Sequence, residues 1–232
     1  QIDQKQLSKA LFPIGHLQKS QVRKIAKEQG LVTAEKRDSQ GLCFVGKVKL
    51  PVFLQQQLEP KKGEIIEVDA NSVIFKRNGE HSIEEHAMSY ELEKAESQVA
   101  GEHDGAHYFT IGQRKGLGVG GKEEPLFVIG TDTKSNRLYV GQGDSHPGLY
   151  RKALKIKNED VHWLRNDLKM RAGQKAEYSV RIRYRQKLQE ASLHQKIDGL
   201  FIEFKVPQRG IARGQFAAWY LDDELIGSGV IA

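Results

Sequence analysis

Two periodicities divide the chain. Up to about residue 60 the apolar positions keep helical spacing. Val22, Ile25 and Ala26, with Gln29 on the next turn, recur at i, i+3, i+4 and i+7, which predicts a helix capped by Ser20 and closed by Gly30. Pro51 opens a second short helical pattern through Val52, Phe53, Leu54 and Leu58. Between them a turn-rich string, Arg37-Asp38-Ser39-Gln40-Gly41, leads into the short extended segment Leu42-Cys43-Phe44-Val45-Gly46.

After Pro60-Lys61-Lys62-Gly63 the spacing shortens to that of strands. Glu64–Val68 and Ser72–Phe75, joined through Asp69-Ala70-Asn71, read as a hairpin. Residues 76–105 are acidic and weakly patterned, and read as a surface insertion. Further strands are predicted at His107–Ile111, Leu126–Ile129 and, after the turn Thr133-Lys134-Ser135-Asn136, at Arg137–Val140. The last third continues with Ala176–Arg185, Glu190–Gln195, Gly199–Val206, Gln215–Leu221 and Leu225–Ile231. The predicted class is mainly β with an N-terminal helical segment. A small central β-rich domain precedes a C-terminal β-barrel or sandwich.

With 38% hydrophobic and 28% charged residues among 232, the chain has the make-up of a globular protein. No apolar run approaches the roughly 18 residues of a membrane span. The opening Gln1-Ile2-Asp3-Gln4-Lys5 has neither initiator Met nor the apolar core of a signal peptide, so a piece of something longer is expected. A single cysteine excludes an internal disulfide and a multi-cysteine zinc cage, and with them points to the cytoplasm. The net charge of +6 is unevenly spread. Arg151–Lys187 holds 12 Lys/Arg against 4 Asp/Glu, whereas Glu80–Asp104 holds 8 acidic residues against Lys94 alone. A basic region suits a polyanion such as RNA through counterion release, or is simply a solvated face.

The glycine cluster from Thr110 to Lys122 imitates two nucleotide motifs and satisfies neither. Gly116, Gly118 and Gly121 match G-x-G-x-x-G, but Pro125 follows where a Rossmann turn must open a helix. Gly116–Lys122 matches G-x-x-x-x-G-K, but Glu123 occupies the position of the magnesium-binding hydroxyl. A flexible basic loop close to a phosphate chain and an ordinary Gly-rich connection both remain open. Arg181, Arg183 and Arg185 alternate with Val180, Ile182 and Tyr184, so a strand would carry three guanidiniums on one face. That face suits an anion, nucleic acid above all. The alternation puts Tyr184 on the core side, although a tyrosine among arginines also suits stacking on a base. Cys43, between Leu42 and Phe44, reads as a packed hydrophobe. Against this, flanking Gly41 and Gly46, with Lys36, Arg37 and Lys47 nearby in sequence, would suit a reactive thiol. The pairs His81/His86 and His103/His107 lack a third ligand, and no metal site is assigned.

Several of these strings together resemble the bacterial tRNA-specific 2-thiouridylases. They are Leu11-Phe12-Pro13-Ile14-Gly15, Gln21–Ala26, Gly30–Ala34, Lys36–Gly46, Thr110–Gly121, Arg183-Tyr184-Arg185-Gln186 and Gly214-Gln215-Phe216-Ala217, in family order over most of the chain. Residues 70–101 fit least. The family's ATP-binding PP-loop, with its S-G-G-x-D-S motif and first catalytic cysteine, has no counterpart here. The resemblance therefore implies a C-terminal portion: residues 1–48 as the helical tail of the catalytic domain with the Cys43 loop, 49–125 as a central β-rich domain, and 126–232 as a tRNA-contacting β-barrel. It implies 2-thiolation of the wobble uridine of tRNA, in which ATP adenylates the C2 oxygen and a cysteine persulfide delivers sulfur. Cys43 matches the persulfide cysteine, which the cysteine outside this chain would relieve of its sulfur by forming a disulfide. Arg183, Tyr184 and Gln215 match tRNA-contacting positions, with Arg181 and Arg185 added from the strand pattern. The partners implied are tRNA and a sulfur donor, either a sulfur carrier or a cysteine desulfurase. The chain is expected to be a monomer, with ATP held by the missing domain and no activity alone. Two other readings compete: a standalone RNA-binding module with a structural cysteine, and an interaction segment whose acidic stretch docks a basic partner.

Overall fold

The computed structural model describes residues 1–36, 58–76 and 81–232 and divides into two units, Gln1–Glu59 and Pro60–Ala232. Cys43, most of its loop and the Pro51 helix lie outside the described residues. In the first unit α1 spans Gln4–Leu7 and α2 spans Lys19–Glu28. The cap of α2 is Gln18 rather than Ser20: the Gln21 side chain accepts from the Gln18 N–H at 2.7 Å and fixes the first turn two residues earlier than expected. Gly30 does end the helix. At φ +65° it lets its own N–H reach Lys27 O and that of Leu31 reach Ala26 O, closing the helix with paired backbone bonds.

The second unit begins with a four-stranded sheet of order β2-β1-β4-β3: β1 Gly63–Val68, β2 Ser97–His103, β3 Leu126–Asp132 and β4 Arg137–Gln142. β1 and β4 run parallel, while the other pairs are antiparallel. Ile65, Val128, Leu138 and Val140 form one buried face, and Val68, Leu92, Ile129 and Tyr139 form the other. Three expectations change here. Val73–Phe75 is a 3-10 turn, not the second arm of a hairpin, and β1 finds its partners far along the chain. Ala106–Tyr108 is likewise a 3-10 turn, replacing the start of the strand expected at His107–Ile111. The acidic segment is no mere insertion: α3 (Ile83–Ala87), buried Leu92 and edge strand β2 all come from it. β3 and β4 complete this sheet although both follow residue 125, where the sequence division was drawn.

A closed antiparallel barrel of order β10-β5-β8-β7-β6-β9 follows, from β5 Tyr150–Trp163, β6 Lys175–Arg181, β7 Gln189–Lys196, β8 Gly199–Arg209, β9 Phe216–Leu221 and β10 Glu224–Ile231. Leu154, Val180, Leu193, Ile202, Phe204 and Trp219 fill its interior. Gly227 gives the Trp219 ring its room, since a Cβ there would stand 2.5 Å from Trp219 Cζ2 and 2.7 Å from His162 O. Arg151 of β5, only 9% exposed, ties α3 and the segment after β8 to the barrel, donating from Nη1 to Ala87 O at 3.0 Å and from Nη2 to Ile211 O at 2.9 Å. Tyr90 Oη adds a bond to Tyr150 O at 3.0 Å. Among the described residues no helix is long and apolar enough to cross a membrane.

Candidate nucleic-acid interface

The predicted arginine strand is shorter than its alternation suggests. β6 ends at Arg181, and residues 182–186 turn. The turn is closed by Gln186: its Oε1 accepts from the Ile182 N–H at 2.9 Å, and its own N–H donates to Arg183 O at 3.1 Å. Three guanidiniums on one strand face are therefore not formed. Ile182 is buried as expected, but Tyr184 is 88% exposed instead of lying in the core, because the two-residue period ends with the strand.

The five candidate RNA contacts then separate. Arg181 lies 4.7 Å over the Tyr220 ring and donates to Tyr184 O at 3.3 Å, which braces the turn. Tyr184 and Arg185 stand free at its tip, both exposed. Arg183 reaches back, with Nη2 donating to Gly210 O at 3.0 Å. Gly210 must be glycine for this contact: φ is +68°, and a Cβ would stand 2.3 Å from Arg183 Nη2. Arg183 and Gln215 meet in a cleft of about 340 Å³ between barrel and sheet, with Gly112 and Gln113 on the sheet side. The cleft also contains Arg209, the last residue of β8, which sequence reasoning missed because the predicted strand stopped at Val206. The available signal was a cation beside a glycine, Arg209-Gly210, at the end of a strand. The Arg209 guanidinium lies 4.7 Å over the ring of Phe127 in β3, joining barrel to sheet.

The glycine loop is anchored, not freely flexible. Leu117 is buried and Val119 packs with it against the Ile65 face of the sheet. Lys122, the residue a nucleotide loop would present to phosphate, pairs instead with the Glu67 carboxylate. Burial pushes the Glu67 carboxyl up, but hydrogen bonds from Lys122, Gln142 (2.6 Å) and Gln98 (3.2 Å) outweigh it and hold the group below the usual carboxylate range. With its lysine so engaged and Glu123 and Glu124 beside it, this loop does not fit a triphosphate. Arg114 and Lys115 at its start remain exposed. Among the described residues no cluster of three metal-ligating side chains occurs.

Three family models match in chain order: a tRNA methyl transferase HUP domain over residues 1–47, a tRNA methyl transferase PRC-barrel domain over 87–142, and an aminomethyltransferase beta-barrel domain over 153–231. Curated relatives include a tRNA-specific 2-thiouridylase MnmA of Flavobacterium johnsoniae, 55% identical over the whole chain and 60% of the relative. One of Christiangramia forsetii is 53% identical with the same coverage of both chains. One of Karelsulcia muelleri is 47% identical over 98% of this chain and 58% of the relative. The chain thus spans about 60% of the length of the curated relatives it matches.

Proposed function

The chain belongs to the tRNA-specific 2-thiouridylase family, and from that premise we propose that it forms the tRNA-docking and sulfur-carrying part of a uridine 2-sulfurtransferase. The observation that supports the docking role best is the turn after β6. Arg183, Tyr184 and Arg185 project from a stem braced by Arg181, Gln186 and Gly210, and Tyr184 keeps an open aromatic face. Such a turn offers a base a stacking platform and the backbone two cations. Gln215, in the cleft with Arg183, adds an amide for hydrogen bonding.

In this reading residues 1–48 are the tail of the catalytic domain, the sheet of β1 to β4 is the central domain and the barrel of β5 to β10 is the tRNA-contacting domain. Cys43 carries the sulfur as a persulfide received from a donor protein, a sulfur carrier or a cysteine desulfurase, and a second cysteine outside this chain releases it by a disulfide with Cys43. A thiolate is a strong nucleophile, which suits Cys43 to carrying the sulfur. ATP, which activates the uridine oxygen for displacement, finds no fitting loop among the described residues and is assigned to the part of the longer relatives that lies outside this chain. The protein works as a cytoplasmic monomer, and this chain alone is inactive in thiolation.

The test is mass spectrometry of tRNA nucleosides from cells relying on the full-length gene with Cys43→Ser. Loss of 2-thiouridine, with protein abundance and tRNA binding preserved, is the expected result. Thiolation that persists would leave Cys43 a packing residue and the chain an RNA-docking module.

A further inference from the structure

The cleft between sheet and barrel holds more hydrogen-bonding capacity than the fold uses. Nε and Nη2 of Arg209 are buried without a hydrogen-bond partner among the described residues, and so is Oε1 of Gln215 in the same cleft. Arg183 has committed Nη2 to Gly210 O. None of the described residues lining the cleft is acidic, and the Arg209 guanidinium lies against the face of Phe127. A half-buried cation with unpaired N–H groups is costly unless something supplies acceptors. The fork of an arginine matches phosphate oxygens two at a time. Gln215 Oε1 lacks a donor, which a ribose hydroxyl would provide. Gly112 in the cleft wall and Gly214 beside Gln215, at φ +86° and +80°, have nothing within 4 Å of where a Cβ would stand, so backbone can be approached closely there.

We infer that this cleft is a phosphate–ribose subsite for one nucleotide of the bound RNA. Arg209, supported by Arg183, takes the phosphate, and Gln215 accepts from the 2′-hydroxyl. The inference rests on the RNA-docking reading and adds to it a residue outside the exposed turn and the chemical group bound.

The experiment is equilibrium binding of a tRNA transcript to the full chain over a range of KCl, for the unsubstituted chain, Arg209→Gln and Gln215→Glu, with a melting curve for each. Arg209→Gln should reduce the steepness of log K against log salt by about 0.7–0.9, the share of one phosphate contact. Gln215→Glu sets a carboxylate beside two guanidiniums, so it should hold or raise the melting temperature while weakening tRNA binding. Gln215→Ala should narrow the preference for the transcript over its all-deoxy counterpart. An unchanged salt slope in a folded Arg209→Gln chain would overturn the assignment. Should that variant fail to fold, unchanged tRNA affinity in Gln215→Glu would overturn it instead. Absence of salt-dependent tRNA binding by the unsubstituted chain would strike the RNA-docking reading itself, a separate outcome.

Discussion

Arg151 is the buried side chain that ties α3 and the segment after β8 to barrel strand β5. Replacing it with methionine removes two charge-assisted hydrogen bonds, to Ala87 O and Ile211 O, from a residue that is 9% exposed. Bonds of that kind contribute about 1.5–3 kcal/mol each. Methionine restores some apolar contact, on the order of 1–2 kcal/mol. The expected net loss is about 3 kcal/mol. For a unit of this size each kcal/mol shifts the melting temperature by about 2–4 °C, so the midpoint should fall by about 6–12 °C. The assay is thermal unfolding followed by near-ultraviolet circular dichroism, where Trp163 and Trp219, ring to ring at 5.2 Å in the barrel, report packing. Arg151→Lys should lose less, since an ammonium retains the charge while giving up the fork. A fall of under about 2 °C for Arg151→Met would refute the reasoning and make the bonds to Ala87 and Ile211 incidental.

Three further outcomes follow from the geometry. His146 is buried and accepts from the Gly148 N–H on Nδ1, leaving Nε2–H to Val68 O, an arrangement only the neutral ring can make. Burial lowers its pKa below 6.5, so its contribution should be complete above that pH and lost as pH falls toward the folded value. Urea unfolding from pH 7.5 to 5 should show this decline, with a flatter profile in His146→Gln; an identical profile would dismiss His146 as its source. Gly227→Ala should destabilise the barrel by about 3 kcal/mol through overpacking on Trp219, and a crystal structure of the variant with an unmoved tryptophan would contradict that cause. Tyr184→Ala should leave the melting temperature unchanged yet weaken tRNA binding by about 1–3 kcal/mol, the value of one base stack; undiminished affinity would remove Tyr184 from the interface.

Five of the six barrel strands are legible because their signals are local, whereas the longest, β5, is not among the strands expected from the sequence. Alternating side chains and turn residues mark β7 through β10, and Asp222, at φ +50°, sits in the β9–β10 hairpin turn. The central sheet was harder to read. β1 pairs in parallel with β4, some seventy residues away in register Ile65↔Leu138, and edge strand β2 is hidden in an acidic segment whose alternation is weak. No local pattern encodes such pairings, which is why the domain division fell at residue 125, ahead of two strands of the same sheet. The site shows the same limit. Arg183 and Gln215, both expected from the resemblance, line one cleft, but the alternation around Arg181 does not continue past the strand because the turn is closed by one side chain, Gln186. Arg209 lies beyond the strand end expected at Val206, and Phe127 and Gln113 become its neighbours only in the folded chain.

The central claim is that this chain serves tRNA 2-thiolation by docking the substrate on its barrel. Its most direct test is the 2-thiouridine content of tRNA, by mass spectrometry, in cells deleted for the gene and complemented with it. The account predicts that the thionucleoside disappears on deletion, returns with the unsubstituted full-length gene, and does not return when that gene carries Arg183→Ala together with Tyr184→Ala at equal protein abundance. Thiouridine unchanged by deletion, or fully restored by the double variant, would contradict it.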